Sequence, residues 1–454
     1  METNRLALSA AAFAIIGASF ASADTLPDTQ QWTLNDCFEY AETHNIQLLQ
    51  KRITVADNEQ QISANEGALF PSLSVATNQN VSWRPWSQSF TNISNGTLTS
   101  TSSDVNYNGT YGLTAQWTVW NGGRNRKTLQ RSRLARAQSE TDVDATIDDL
   151  KEQIAQLYVQ ILYQTEAVKV NREILQSTIT LRDRAKEMYE VGSLARADLA
   201  QMEAQVSQDD YNVVNAMTAL DNYKLQLKTL LQITDERPFD IVVPEISDDR
   251  ILLMLPSQQE VFQAAVNLRP EISYSKLGIE LADMDINIAK RGYYPSISLS
   301  GAINTSNSSG MDDSFASQLK RNLSNSVGLT VSVPIFDNRQ NKTNVARARL
   351  QRESAMLQLD AQKTQLYSDI ENFRLNAINA QRQYSSAIVS AASMQESYDL
   401  VSQQFEVGLK DIVDVITAKN NLLQADQQLL QAKYMAVLNR AMLNFYAGAP
   451  LTID

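Results

Sequence analysis

The stretch VGLKDIVDVIT, residues 407–417, carries three oxygen-bearing side chains, Asp411, Asp414 and Thr417, spaced three apart. On a helix that spacing gathers them on one stripe. Carboxylates brought together at a constriction attract cations and raise one another's pKa. Spread over a solvated turn they would do neither, and the sequence leaves both readings open. Neither reading is catalysis. His44 is the only histidine and Cys37 the only cysteine. No phosphate-cradling glycine loop and no metal-ligand spacing occurs, so no catalytic, cofactor-binding or metal-binding residue is assigned. In TLNDCFEYA, Leu34, Cys37 and Ala41 share one helical face, where a cysteine packs as a small apolar residue.

These residues need long elements to hold them. The chain has 454 residues but only 15 Gly and 10 Pro, and none of either between Arg124 and Val191 or between Ile335 and Val407. If helical, the first of these runs spans roughly 100 Å. Ile147, Leu150, Ile154, Leu157 and Ile161 alternate steps of three and four, and Leu366, Ile370 and Phe373 occupy the matching places, as a coiled-coil seam requires. Each run ends at Val-Gly, and Gly192 and Gly408 mark turns into second helical runs that reach Arg237 and Ala447.

The two halves are copies. Thr33 with Asp36 and Ser257 with Glu260 have capping-box spacing, and the offset of 224 between them also carries LFPSLSV onto YYPSISL. Further on, an offset of 216 carries YGLTAQWTVWNGGRN onto VGLTVSVPIFDNRQN and YEVGSLARADL onto FEVGLKDIVDV. The expected organisation is a leader at 1–23, repeat 1 at 24–233, a Pro-rich acidic linker at 234–256 and repeat 2 at 257–454. Each repeat is expected to contain a helix, a β-hairpin and a long helical hairpin.

The strands alternate. Leu73 and Val75 in the first, and Leu329, Val331 and Val333 in the last, alternate with Ser, Thr, Gly and Pro. Such strands suit a membrane barrel with one face in lipid, or a soluble sheet with one buried face. Aromatic residues favour the barrel, because Trp83 and Trp86 stand at one end of the first hairpin and Phe70, Trp117 and Trp120 at the other, as two interfacial belts would. Four strands cannot close alone, so several chains must share the barrel. At the N-terminus, Arg5, an apolar run from Leu6 and Ala21-Ser22-Ala23 read as an export signal. An excess of 51 acidic over 39 basic residues disfavours nucleic acid and anionic ligands.

The duplicated plan, LFPSLSV and YYPSISL entering the hairpins, VSVPIFDNRQN leaving one, and EVG at both helix turns together resemble the TolC family of outer-membrane efflux proteins over essentially the whole mature chain. The resemblance implies a mainly α protein with a β-barrel part. Three chains would pool four strands each into a 12-stranded outer-membrane barrel, continuous with a periplasmic α-helical coiled-coil tunnel in a Gram-negative bacterium. It implies an export duct of a tripartite efflux or type I secretion system, opened at its periplasmic end on docking. Its partners would be a periplasmic adaptor (membrane fusion) protein, an inner-membrane pump of RND, ABC or MFS type, and outer-membrane lipid. Asp414 matches an acidic position of the narrow tunnel entrance, with Asp411 and Thr417 beside it; some members carry a second acidic residue where this chain has Thr417. Gly192, Ser193, Leu194, Gly408 and Leu409 match the tips that meet the adaptor. A structural or adhesive coiled-coil protein that conducts nothing is the alternative, and the alternating strands with aromatic ends favour the duct.

Overall fold

The computed structural model describes residues 31–83, 90–94, 97–101, 105–234, 238–244, 246, 251–309, 311 and 313–453. The leader expected at 1–23 and Trp86 lie outside the described residues. The chain divides into two compact units, Met1–Arg52 with Thr141–Ser273 and Ala361–Asp454, and Ile53–Glu140 with Tyr274–Asp360.

In the first unit β1 (Gln31–Trp32) and β6 (Asp240–Ile241) form a parallel pair, and helices α1 (Leu34–His44) and α5 (Gln258–Leu268) follow them in the two repeats. Both helices open with complete capping boxes, in which the N-cap hydroxyl and the third residue's carboxylate each accept a backbone N–H from the other's residue. Each repeat opens with two helices where one was expected, because α2 (Ile46–Gly67) follows α1 and α6 (Pro270–Lys290) follows α5. The break at Asn45 arises because its side chain accepts the Leu48 N–H at 3.2 Å while donating to the Leu230 carbonyl at 3.1 Å. At the matching break Pro270 opens α6, where its missing N–H costs nothing. Arg269 beside it is buried, paired with Glu271 at 2.6 Å and Asp148 at 3.2 Å and laid over the rings of Phe445 and Tyr446.

The repeats yield long helices of equal length. α3 (Arg124–Glu190) and α8 (Gln340–Glu406) have 67 residues each, and α4 (Arg196–Leu230) and α9 (Ile412–Tyr446) have 35 each. Leu150, Ile154 and Ile161 of the α3 seam are buried, as are Leu366 and Ile370 of α8. Cys37 lies in the same core as the α3 residues, and burial pushes its thiol up to about 12, which leaves it a packing residue rather than a nucleophile.

The second unit holds an antiparallel sheet in the order β2 (Ser72–Trp83), β5 (Val105–Trp120), β7 (Ser296–Ser308), β8 (Ser324–Ser332). Its register sorts side chains by chemistry across all four strands. Val75 opposes Leu113, which opposes Ile303, a row that ends in Asn325 on β8, and Leu299 lies between Trp117 and Leu329. One residue along, Ser74, Thr114, Ala302 and Ser326 form a row, and Ala76, Gly112, Asn304 and Ser324 form the next. One face is thus apolar and the other small and polar. The apolar face is bare, with Val75 81 % exposed. A bulge between Thr118 and Trp120 skips Val119 and sets Trp120 opposite Ile297, so both Trp117 and Trp120 fall on the apolar face. Between the strands lie elements that read as plain loops in the sequence. A hairpin of β3 (Phe90–Ser94) and β4 (Thr97–Thr101) follows β2. Helix α7 (Phe315–Arg321) packs back on β7, with Thr305 Oγ1 donating to the Leu319 carbonyl at 2.6 Å.

The turns that lead from sheet to helix differ between the copies. Gly122 and Gly123 take φ of 68° and 79° before α3, whereas Asn338 and Arg339 take 51° and 66° before α8. The second helix accordingly begins at Gln340, later than the Gly- and Pro-free run from Ile335. Left-handed geometry costs an ordinary L residue about 1–2 kcal/mol.

The face assignment makes a direct prediction. With the apolar face in lipid, Val327→Arg near the middle of β8 should cost about 2–4 kcal/mol and Ser326→Arg or Thr330→Arg markedly less. Assembly yield in outer-membrane fractions measures the difference, and equal tolerance of all three would reverse or abolish the assignment.

Candidate functional site

The long helices end by the same local chemistry. In repeat 1 the N–H of Gly192 donates to Tyr189 and that of Ser193 to Met188; in repeat 2 Gly408 donates to Phe405 and Leu409 to Gln404. Both pairs satisfy the last carbonyls of a helix and require a left-handed residue, here Gly192 at φ 78° and Gly408 at φ 74°. Ser193 Oγ adds a bond to the Met188 carbonyl at 2.8 Å. Leu194 packs partly against the core below, whereas Leu409 is 75 % exposed, and Val407 and Val191 are exposed as well.

Asp411, Asp414 and Thr417 lie just past the second turn. Asp411 is the N-cap of α9, and its carboxylate accepts the Asp414 N–H at 2.9 Å. Asp414 stands in the first turn with Lys410 Nζ 3.0 Å from its carboxylate, both about two-fifths exposed. Two carboxylates and one ammonium leave the segment one net negative charge per chain. An exposed pair of this kind is worth at most about 1 kcal/mol, so Lys410 tempers the acidic field without cancelling it. Thr417 is exposed one turn further along. Lys410 lies off the three-apart stripe, and its i,i+4 spacing to Asp414 is the sequence signal of the pair.

Below the turns the two helical hairpins share a core of Ile174 and Leu181 from α3, Leu199 and Met202 from α4, Phe405 from α8, and Ile412, Val415 and Leu422 from α9. Two charged residues interrupt it. Lys419 of α9 meets Asp209 of α4 at 2.5 Å, with both side chains at least 97 % buried. Thr178 of α3 donates to the same carboxylate at 2.7 Å and Gln205 to its other oxygen at 2.9 Å. Burial lowers the Lys419 pKa, opposed by the bond and charge of Asp209. The pair sits on the seam itself, since Ile412, Val415, Lys419 and Leu422 step by three, four and three. A polar residue at such a position fixes register at a cost in stability.

The other expected residues are placed as follows. Leu73, Val75, Leu329 and Val331 lie in their strands, and Val333 follows β8; all are exposed. Phe70 precedes β2, Trp83 ends it, and the Trp117 indole donates to the Leu69 carbonyl at 2.9 Å. His44 stacks on Tyr40 at the end of α1, with Nδ1 3.0 Å from the Tyr40 carbonyl.

The family described as outer membrane efflux protein matches residues 39–231 and again 261–449, one match for each copy of the repeat. The chain belongs to the outer membrane efflux protein family. It is 23 % identical over 314 residues to outer membrane protein TolC of Vibrio cholerae, covering 68 % of this chain and 70 % of that protein. It is 24 % identical over 388 residues to outer membrane efflux protein BepC of Brucella suis, covering 82 % and 78 %. Among solved structures, the CusC channel superposes with a TM-score of 0.76 over 92 % of both chains at 17 % identity. The fold is that of a TolC-like outer-membrane channel protomer, and the protein is an outer-membrane efflux channel component. The family transports rather than catalyses.

Removing one partner of the buried pair should be far worse than removing both. Lys419→Met should destabilise the helical bundle by about 3–5 kcal/mol and the double variant Lys419→Met with Asp209→Leu much less. Denaturant titration of the detergent-extracted protein followed by circular dichroism checks this. Equal loss in both variants would show that the ion pair itself stabilises the bundle.

Proposed function

We propose that this protein is a passive export duct in which three chains close a 12-stranded barrel through the outer membrane above a periplasmic helical tunnel. An adaptor docks on the helix turns and an energised inner-membrane pump supplies the driving force. One observation carries the reading: an apolar face and a polar face run in register through four strands whose two outer edges, those of β2 and β8, have no partner among the described residues. Apolar side chains on a bare sheet face suit lipid, and small polar ones opposite suit a wet lumen. Three copies supply an even number of strands and leave no edge in hydrocarbon.

The tunnel mouth in this reading is the turn at Gly408. Asp414 provides the charge, Asp411 starts α9 and aims it, and Lys410 trims the field. Threefold repetition then gives a weakly acidic constriction that favours cations and binds multivalent ones. Gly192, Ser193, Leu194, Gly408 and Leu409 form the adaptor-facing tips, where exposed Leu409 offers an apolar contact and the glycines set its direction. The helical stretch belongs in the periplasm, and the two repeats 24–233 and 257–454 each contribute one hairpin to the barrel and one to the tunnel.

Detergent-extracted protein should contain three chains per particle and conduct in planar bilayers. A monomer recovered in the periplasmic soluble fraction would refute the duct. Within the channel, Asp414→Ala should reduce cation preference and block by multivalent cations, and Lys410→Ala should increase both, with the effects fading at high salt. Reversal potentials across a salt gradient measure this; if neither variant shifts them, the constriction lies elsewhere.

A further inference from the structure

The chain is acidic overall, yet the segments that leave the sheet are not. Residues 124–139 hold six Lys or Arg and residues 338–352 hold five, with no Asp or Glu in either. Of the cations deeper in these helices four are paired with carboxylates, whereas Arg126, Lys127, Arg347 and Arg349 have no carboxylate partner among the described residues. Arg131 meets Asp285, Arg133 meets Glu66, Arg136 meets Glu59 and Arg352 meets Asp283. Those nearest the sheet have no carboxylate among the described residues, namely Arg124 in the first turn of α3, and Arg339 and Lys342 at the start of α8. All three are exposed.

Packing brings these starts to one place, the 3-10 turn Arg291–Tyr293 that precedes β7. A Cβ on Gly122 would lie 2.6 Å from the Tyr294 Cβ and 3.3 Å from the Arg291 carbonyl, so the turn before α3 rests directly on it. From α8, Asn341 donates to the Gly292 carbonyl at 2.8 Å. The Asp337 carboxylate beside this turn is spent on capping α8 through the Asn341 N–H at 2.8 Å. Arg291 lies 5.4 Å from the centre of the Tyr294 ring, and Tyr294 meets Trp120 edge-on. The Arg291 Nε is buried without a hydrogen-bond partner. Trp120 is the residue that the bulge turns onto the apolar face, so apolar face, indole, phenol and guanidinium follow one another outward from the sheet.

Arg339 supplies an independent observation. It holds a strained left-handed backbone where repeat 1 has Gly123, so an arginine is kept at a position whose geometry favours glycine. An inherent backbone penalty at an exposed, unpaired cation points to work for that side chain.

We propose that Arg124, Arg291, Arg339 and Lys342 form a binding site for the phosphate headgroup of an anionic phospholipid in the periplasmic leaflet of the outer membrane. The site would anchor the barrel rim just beyond its aromatic belt. The inference rests on the barrel reading above and adds its lipid partner. Aromatic rings at the interface followed by cations within reach of phosphates are the chemistry that such a leaflet recognises. Overall net charge says nothing against it, because the Asp337 carboxylate at the junction is engaged in capping α8.

The test uses the full mature protein in a neutral detergent, with native mass spectrometry counting retained lipid. Phosphatidylglycerol should bind more tightly than phosphatidylcholine, and diacylglycerol should not be retained. The triple variant Arg124→Gln, Arg339→Gly, Lys342→Gln should weaken phosphatidylglycerol retention about tenfold or more. A charge-matched control, Arg52→Gln, Lys186→Gln, Arg382→Gln, should bind as the wild type does. Arg339→Gly alone should raise the melting temperature without lipid and lose part of the stabilisation that phosphatidylglycerol gives, which separates strain relief from binding. Unchanged retention in an intact trimeric triple variant would overturn the site. So would full competition by inorganic phosphate, which would assign a free anion, or altered anion selectivity with unchanged lipid retention, which would place the cations in the lumen. Loss of the trimeric mass in the wild-type protein would instead overturn the barrel reading beneath it.

Discussion

A strand edge in hydrocarbon has no water to bond, and each unsatisfied backbone group there costs several kcal/mol. The sheet of this protein ends in two such edges, along the 12 residues of β2 and the 9 residues of β8. With about half of those backbone groups pointing outward, leaving both edges open in lipid would cost on the order of tens of kcal/mol, more than the net stability of a whole domain. The constraint therefore outranks any side-chain preference in the sheet. In the proposed duct it makes the four strands a fraction of a closed object, and Val75 on β2 with Val327, Leu329 and Val331 on β8 carry the apolar face to both outer strands.

The helical elements obey a different constraint, which is length with controlled ends. Gly- and Pro-free runs let α3 and α8 extend for 67 residues each, and left-handed residues stop them where the chain must reverse. Apolar seams alone tolerate slippage, because one heptad resembles the next. The Lys419–Asp209 pair removes that freedom, since only one register of α9 on α4 buries both charges together. Asp411 contributes locally by fixing where α9 begins, which in turn fixes the level at which Asp414 stands.

Much of this was legible in the sequence because it depends on period and repetition. The matched phrases before Pro71 and Pro295 announced the duplication, alternation in β2 and β8 announced two-faced strands, and EVG announced the turns. What escaped was decided by single contacts. Asn45 breaks the first helix through bonds to Leu48 and Leu230, the second of which lies far away in the chain. Lys419 and Asp209 lie 210 residues apart, and no periodicity joins them, although charged residues on apolar seams were a visible anomaly. Trp120 faces as it does because of a bulge that composition does not encode, and the left-handed Arg339 shows only when its copy, Gly123, is set beside it. The candidate mouth was legible as residue types, and its charge balance was not, because Lys410 lies off the stripe that joins Asp411, Asp414 and Thr417.

The central claim is that β2 of one chain pairs with β8 of the next until three chains close. Cysteines placed along the two edges test it directly in native outer membranes, with Cys37 replaced by Ala, Val75→Cys on one edge and, in separate variants, Val327→Cys, Leu329→Cys or Val331→Cys on the other. Oxidation should give at least one pair that cross-links efficiently between chains, in a ladder that stops at three. Cross-links that form only within one chain, that continue beyond three, or that fail at every pair would contradict the shared barrel.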